Sequence, residues 1–188
     1  FSGSRTGSGT KYTYSTWLKR SELGTDQTII YNYVDSSNFA YLYFRGSQKD
    51  LRYFDRVSGG DTCVGTSAPV IFDDNTAWYH IVLEVDTTLG TAADRVKMYV
   101  NGVFKAFNYD NQPGQNQALS FGNVATRSIS SNYNGSNYFD GYQAETIFID
   151  GLALQADSFG EFDGDSEIWK PINVSGLTFG SIGFYLEY

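Results

Sequence analysis

The acidic run Glu161-Phe162-Asp163-Gly164-Asp165-Ser166-Glu167 is the first place to look for chemistry. Its four carboxylates fall at every second position. In an extended strand that spacing would put them on one face, where one carboxylate can act as nucleophile and another as acid/base. Gly164 and Ser166 make a poor strand, and Trp169-Lys170-Pro171 follows. A solvated surface loop is therefore expected, and no catalytic residue is assigned. The same carboxylates could offer calcium the oxygen ligands it takes from flexible loops. The EF-hand spacing fails, because the sixth position counted from Asp163 is Ile168 rather than Gly. Calcium stays open without a ligand set; no metal site and no other cofactor is expected.

The other reactive side chains are few. His80 is the single histidine, with no Ser or Cys nucleophile motif nearby, so a hydrogen-bonded structural role is expected. Cys63 is the single cysteine, which excludes an internal disulfide and a zinc site built from Cys partners. It sits in a Gly/Thr-rich stretch with no basic neighbour to lower its pKa and is read as a structural or incidental thiol. Asn134-Gly135-Ser136 and Asn173-Val174-Ser175 match the N-glycosylation pattern, a short motif that Asn/Ser-rich chains produce by chance.

Polar-aromatic stretches are the best binding candidates. Tyr109, Asp110 and Asn111 form one group; Asn132, Tyr133 and Asn134, with Asn137 and Tyr138, form another. Sugars are held by aromatic faces against their C–H surfaces while Asn and Asp fix hydroxyls, and loops on a rigid β scaffold suit that task. Two plainer readings stand beside it: turn residues with Tyr packing on a sandwich edge, or a protein–protein contact, where Tyr is enriched.

The elements that must position these groups are strands. Residues 78–109 hold two alternating runs around a polar loop. Ile81, Leu83 and Val85 share one parity; His80, Val82, Glu84 and Asp86 share the other, the pattern of a half-buried strand. Val96, Met98 and Val100 form a second row ahead of Asn101-Gly102, a strong signal for a type I′ hairpin turn. Three sequential antiparallel strands are expected at about 79–86, 95–100 and 103–109. Further strands are expected at 12–18, 28–34, 39–44, 51–57, 142–149 and 183–188. Shorter ones are expected at 70–72, 118–121 and 127–130, with a surface loop at 58–68 and one helical turn at 156–159. Residues 1–11, rich in Gly, Ser and Thr, read as a flexible arm on a single domain spanning 12–188. With 15 Tyr, 14 Phe, 20 Gly and no long 3.6-residue apolar period, the chain reads as all-β, a two-sheet antiparallel sandwich or jelly roll. Its net charge of −8 argues against binding a nucleic-acid backbone. No run of some 18 apolar residues predicts a membrane span. The chain starts with Phe and shows no basic-then-apolar leader, so it is either processed or part of something longer.

Several stretches resemble a known family. "YTYSTWLKRSELGTDQTII" (12–30), "AWYHIVLEVD" (77–86) and "RVKMYVNGV" (95–103) are similar to core strands of concanavalin A-like lectin/glucanase domains of laminin-G/pentraxin type. "FDGYQAETIFIDGLAL" (139–154), "SFGEFD", "IWKP" and the terminal "GFYLEY" resemble the version found in bacteriophage tail-fibre and other virion proteins. The resemblance implies a concanavalin A-like jelly roll with a concave and a convex sheet. It implies a non-catalytic module at the virion surface, either capsid-displayed or in a tail fibre, assembled in the host cytoplasm. Other virion proteins are the implied partners, with host-surface carbohydrate as ligand and a trimer as the oligomer. A purely structural decoration role is the alternative. So is a laminarinase-like hydrolase, since such glucanases carry Glu-x-Asp-x-Glu on one strand; here Asp165 stands where the last Glu of that motif would be, and Glu167 follows two residues later. Laminin-G-like and pentraxin-like relatives often hold calcium at a sheet rim.

Overall fold

The structure, a computed structural model, describes residues 7–67, 72–123 and 125–188. Two six-stranded antiparallel sheets face one another. The first contains β1 (Lys11–Arg20), β6 (Tyr79–Asp86), β7 (Val96–Val100), β8 (Val103–Lys105), β11 (Gly141–Asp150) and β14 (Phe184–Leu186), in the order β14-β11-β1-β6-β7-β8. The second contains β2 (Gln27–Asp35), β3 (Asn38–Phe44), β4 (Leu51–Val57), β5 (Gly60–Thr66), β9 (Asn108–Asn111) and β10 (Thr126–Ile129), in the order β10-β2-β3-β4-β5-β9. A ribbon of β12 (Gly160–Phe162) and β13 (Trp169–Pro171) completes the strands.

Alternation is what sorts the side chains between the sheets. Tyr12, Tyr14 and Leu18 from β1 and Ile81, Leu83 and Val85 from β6 point inward; they meet Ile30, Leu42, Phe44 and Tyr53 of the second sheet. The hairpin behaves as its sequence predicts: Val100 pairs with Val103, and Asn101 and Gly102 take φ of 48° and 79°. The helical turn forms at Ala156–Ser158.

Several expectations need correction. The strand expected to run to residue 109 ends at Lys105; the chain then crosses to the second sheet, where Asn108–Asn111 pairs with β5. Residues 60–66 of the expected 58–68 loop are β5, and Cys63 is a fully buried core residue. Ladder pairing with β4 overrides the turn-like composition there. Residues 118–121 are not a strand: Ser120–Gly122 is a 3-10 turn, because buried Asp55 accepts the Ser120 and Phe121 N–H groups at 2.9 and 3.0 Å. Residues 70–71 of the expected 70–72 strand lie outside the described residues, and Phe72 is a buried loop residue whose N–H bonds to the Lys49 carbonyl at 2.7 Å.

The central strands of the first sheet are buried on both faces. Val82, Tyr99, Ile147 and Ile149 on its outer face lie under Ala156, Phe159, Trp169 and Val174 of the C-terminal segment. β6 is thus fully rather than half buried. Of the expected arm, residues 7–10 dock on the domain: Ser8 N–H donates to Asp150 Oδ1 at 2.7 Å, and Leu119 N–H to the Gly9 carbonyl at 2.8 Å.

Candidate functional site

Among the described residues no segment of that kind covers the outer face of the second sheet, and this face is aromatic. Tyr31 and Tyr33 from β2, Phe39, Tyr41 and Tyr43 from β3, and Phe54 from β4 all project there, alternating with core residues such as Ile30, Ala40, Leu42 and Tyr53. Cross-strand register brings them side by side. Tyr31 and Tyr41 are partners, as are Tyr41 and Phe54. Their rings stack at 5.1 Å with interplanar angles of 3° and 25°. Phe39 stacks on Phe54 at 5.7 Å, and the Arg56 guanidinium lies 5.4 Å from the Phe39 centroid. Each aromatic pair contributes about 0.5–1.5 kcal/mol beyond its burial. The rings therefore stand as a stiff ladder, covering one another's faces and turning edges and hydroxyls outward.

The 131–137 loop stands at one end of this ladder. The Thr28 N–H donates to the Asn137 carbonyl at 2.8 Å, tying the loop to β2. Tyr133 lays its ring on Tyr33 at 4.3 Å and 7°. Between loop and ladder lies a depression of about 320 Å³, walled by Tyr31, Tyr41 and Tyr43 on one side and Asn132 and Asn137 on the other, with Asp26 at its margin. Burial pushes the Tyr41 hydroxyl up to about 12, and those of Tyr31 and Tyr43 above their ordinary value. All three stay protonated at neutral pH and can donate or accept hydrogen bonds. With the amides of Asn132 and Asn137 and the Asp26 carboxylate, the depression offers donors and acceptors along an apolar wall.

The structure divides the residues expected from the sequence into two groups. Asn132, Tyr133 and Asn134 belong to the loop beside the depression, and Tyr138 follows it. Asn132 lines it and Tyr133 extends the ladder, whereas Asn134 folds the loop, its Oδ1 accepting from Ser136 Oγ at 2.8 Å. Tyr138 is 65% exposed and not in the wall. Tyr109, Asp110 and Asn111 lie on β9 at the opposite edge, four strand spacings or roughly 19 Å from β2. The Tyr109 ring points into the core and its hydroxyl donates to the Val96 carbonyl. Asp110 pairs with Arg52 at 3.2 Å, and Asn111 Nδ2 donates to the Asp61 carbonyl at 3.0 Å. The ladder itself was missed. Its signal is an aromatic at every second position, Tyr31/Tyr33 and then Phe39/Tyr41/Tyr43.

The acidic run is arranged for structure. Its strand stops at Phe162, and Asp163 Oδ1 accepts from the Asp165 and Ser166 N–H groups at 3.2 and 3.0 Å. Lys170 Nζ bridges Asp163 and Glu161 at 2.9 and 3.4 Å, and together with the turn bonds it holds the Asp163 carboxyl well below the usual carboxylate range. Glu161 and Glu167 face different hollows. Within the run, Glu161 and Glu167 therefore do not share one cleft as the two members of a hydrolytic pair must. The Lys170 ammonium sits where a calcium ion would need those oxygens, so the run does not fit that ion. Among the described residues no group of three or more His, Cys, Asp or Glu could hold a metal.

His80 is buried and neutral. Its Nδ1 accepts from the Trp169 indole N–H at 2.9 Å, so Nε2 carries the proton and donates to Ser15 Oγ at 2.8 Å. Burial pushes its pKa down to about 3.

A family model described as the concanavalin A-like lectin/glucanases superfamily, laminin-G type, matches residues 2–156. The chain belongs to this superfamily. No curated protein matches the chain. Among solved structures, this superfamily member is similar to domain 4 of a GH43 extracellular arabinanase from Geobacillus stearothermophilus, solved with arabinotriose. Identity there is 20% and the TM-score 0.54, over 77% of this chain and 63% of that one. It is similar to the heptameric SAP-like pentraxin of Limulus polyphemus, at 16% identity and TM-score 0.55, over 81% and 69%. It is also similar to full-length tailspike protein 2 of Escherichia coli O157:H7 bacteriophage CAB120, at 12% identity and TM-score 0.50, over 84% of this chain and 22% of the tailspike. At these identities the likenesses establish the fold.

Proposed function

We propose that this chain is a non-catalytic glycan-binding module that takes its ligand on the tyrosine face of the second sheet. The observation that carries this reading is the depression between the aromatic ladder and the Asn132/Asn137 loop. Its volume lies at the small end of the roughly 300–1,000 Å³ typical of ligand sites, which suits one or two sugar rings. Membership of a lectin/glucanase superfamily and likeness to a domain solved with arabinotriose support the ligand class. The acidic run, tied up by Lys170, supports binding over hydrolysis.

The test is a glycan array followed by calorimetry on the hits. Tyr43→Phe removes one hydroxyl from the wall and Asn137→Ala one amide; each should weaken binding about tenfold, as one lost hydrogen bond does. Silence of the wild-type chain across bacterial polysaccharides, or full affinity in both variants, would refute it.

Display on a bacteriophage particle, in contact with other virion proteins and as a trimer, is part of the same proposal. It is supported by the resemblance of the C-terminal motifs and by the tailspike likeness. Immunogold labelling of purified particles and sedimentation of the isolated chain test the two halves separately.

A further inference from the structure

The outer surface of the first sheet holds a second hollow, on the opposite side of the sandwich from the tyrosine face. It measures about 510 Å³, and all three tryptophans of the chain, Trp17, Trp78 and Trp169, line it together with Phe162, Asn101 and Glu167. Trp78 is 42% and Phe162 53% exposed, so their rings are open to a ligand. The other rings are held from behind. Trp17 and Trp169 both stack on the buried His80 ring, at 4.8 and 5.9 Å.

The polar groups of this wall say what the ligand is. The Trp169 indole N–H is spent on His80 Nδ1, and Asn101 Oδ1 accepts the His80 backbone N–H at 2.7 Å. Those two polar groups of the wall are thus occupied, and Glu167 is the charged group that lines it. What the hollow does present is the exposed rings of Trp78 and Phe162, whose π-systems are electronegative, and one carboxylate. Glu167 is exposed, and its side chain makes no hydrogen bond or ion pair among the described residues. The nearby cation, Lys170, is committed to Glu161 and Asp163. The imidazole behind the indoles is uncharged at neutral pH and adds no opposing charge.

From this geometry we infer that the tryptophan hollow binds an organic ammonium ion, with its alkyl groups against the indoles and its charge balanced by Glu167. This site is independent of the tyrosine face and does not rest on the function proposed for that face.

The probe is choline chloride, titrated into the full chain at constant ionic strength while tryptophan fluorescence is followed. Its neutral isostere 3,3-dimethylbutan-1-ol is titrated in parallel. A saturable change is expected with choline, and binding of the neutral alcohol about tenfold weaker. Trp78→Ala should weaken choline about tenfold, and Glu167→Gln about threefold. Both residues are exposed, so the variants should keep the fold. Tyr43→Phe, on the other sheet, should leave choline binding unchanged. The inference is overturned if choline gives no saturable change below roughly 100 mM. It is equally overturned if the neutral alcohol binds as well as choline, or if Glu167→Gln has no effect.

Discussion

Two buried groups make opposing demands on pH, and the structure predicts that they cancel. His80 is held neutral by burial, its pKa near 3 against about 6.5 in an unfolded chain. An unfolded chain takes up a proton there as pH falls below 6.5 and the folded chain does not. Stability from His80 is therefore present above pH 6.5 and lost on acidification. Asp55 runs the other way. Burial pushes its carboxyl up to about 7, against the pull of the Phe121 and Ser120 N–H groups and the Tyr53 hydroxyl. The folded chain keeps that proton at pH values where the unfolded chain, at about 3.9, has released it. Stability from Asp55 is thus full below pH 4 and lost as pH rises toward 7.

Between pH 5 and 6.5 each group contributes a slope near one proton, or about 1.4 kcal/mol per pH unit. Over that window each changes stability by about 2 kcal/mol with opposite sign, so the wild-type chain should be nearly flat. The carboxyls held low by partners, such as Asp86 and Asp163, act below this range. Removing one group should expose the other. Asp55→Asn should gain about 2 kcal/mol of stability from pH 5 to 6.5, although it is less stable at every pH. His80→Gln should lose about 2 kcal/mol across the same range. Urea unfolding followed by tryptophan fluorescence and circular dichroism at four pH values gives the slopes. A flat Asp55→Asn profile matching the wild type would show that Asp55 is ionised in the fold and refute the argument.

Two further outcomes follow from close packing. Gly102→Ala should cost about 2–4 kcal/mol, because its Cβ would meet the Trp169 ring at 2.4 Å in a residue already at φ 79°; Gly59→Ala, with the same φ and open space, should cost only about 1–2 kcal/mol in the same urea titration. The Cys63 thiol is fully buried and burial pushes its pKa up, so a colorimetric thiol reagent should not label it in the native chain and should label it fully in denaturant; fast native labelling would contradict the placement of β5.

The hairpin was legible because period-two alternation and Asn101-Gly102 are local signals, and the structure returns them as the Val100–Val103 pair. The crossing after Lys105 was not. Alternation runs on through Val103–Tyr109, since a side chain facing the core from one sheet has the same periodicity as one facing it from the other. Only the pairing of Gly65 with Tyr109 reveals that the ladder has changed sheets. The burial of β6 on both faces was hidden for a related reason. The segment that covers Val82 and His80 lies some 80 residues downstream, and no local pattern announces it. β5 was obscured by composition: its Gly, Asp and Thr are turn residues, and the pairing with β4 made them a strand.

The candidate site was half visible for a reason that also explains its form. Loop composition pointed to Asn132 and Tyr133. The ladder beside them went unread because Phe39-Ala40-Tyr41-Leu42-Tyr43-Phe44 places apolar or aromatic groups at both parities, so alternation alone does not say which row is core. Register does: Ala40, Leu42 and Phe44 are buried, while Phe39, Tyr41 and Tyr43 are half-buried on the outer face. A sheet face that only had to meet water would be served by Thr or Lys, without leaving so much aromatic surface partly uncovered. Stacking lowers that cost, since each ring shelters its neighbour, but it also fixes the rings in one geometry. The hydroxyls of Tyr31, Tyr41 and Tyr43 then project from a rigid base at set spacings, next to a loop pinned through Asn137. Rigidity of this kind adds little that a well-packed sandwich needs for folding. It reduces the ordering cost of binding a polyhydroxyl ligand, and that is the physical argument for placing recognition on this sheet.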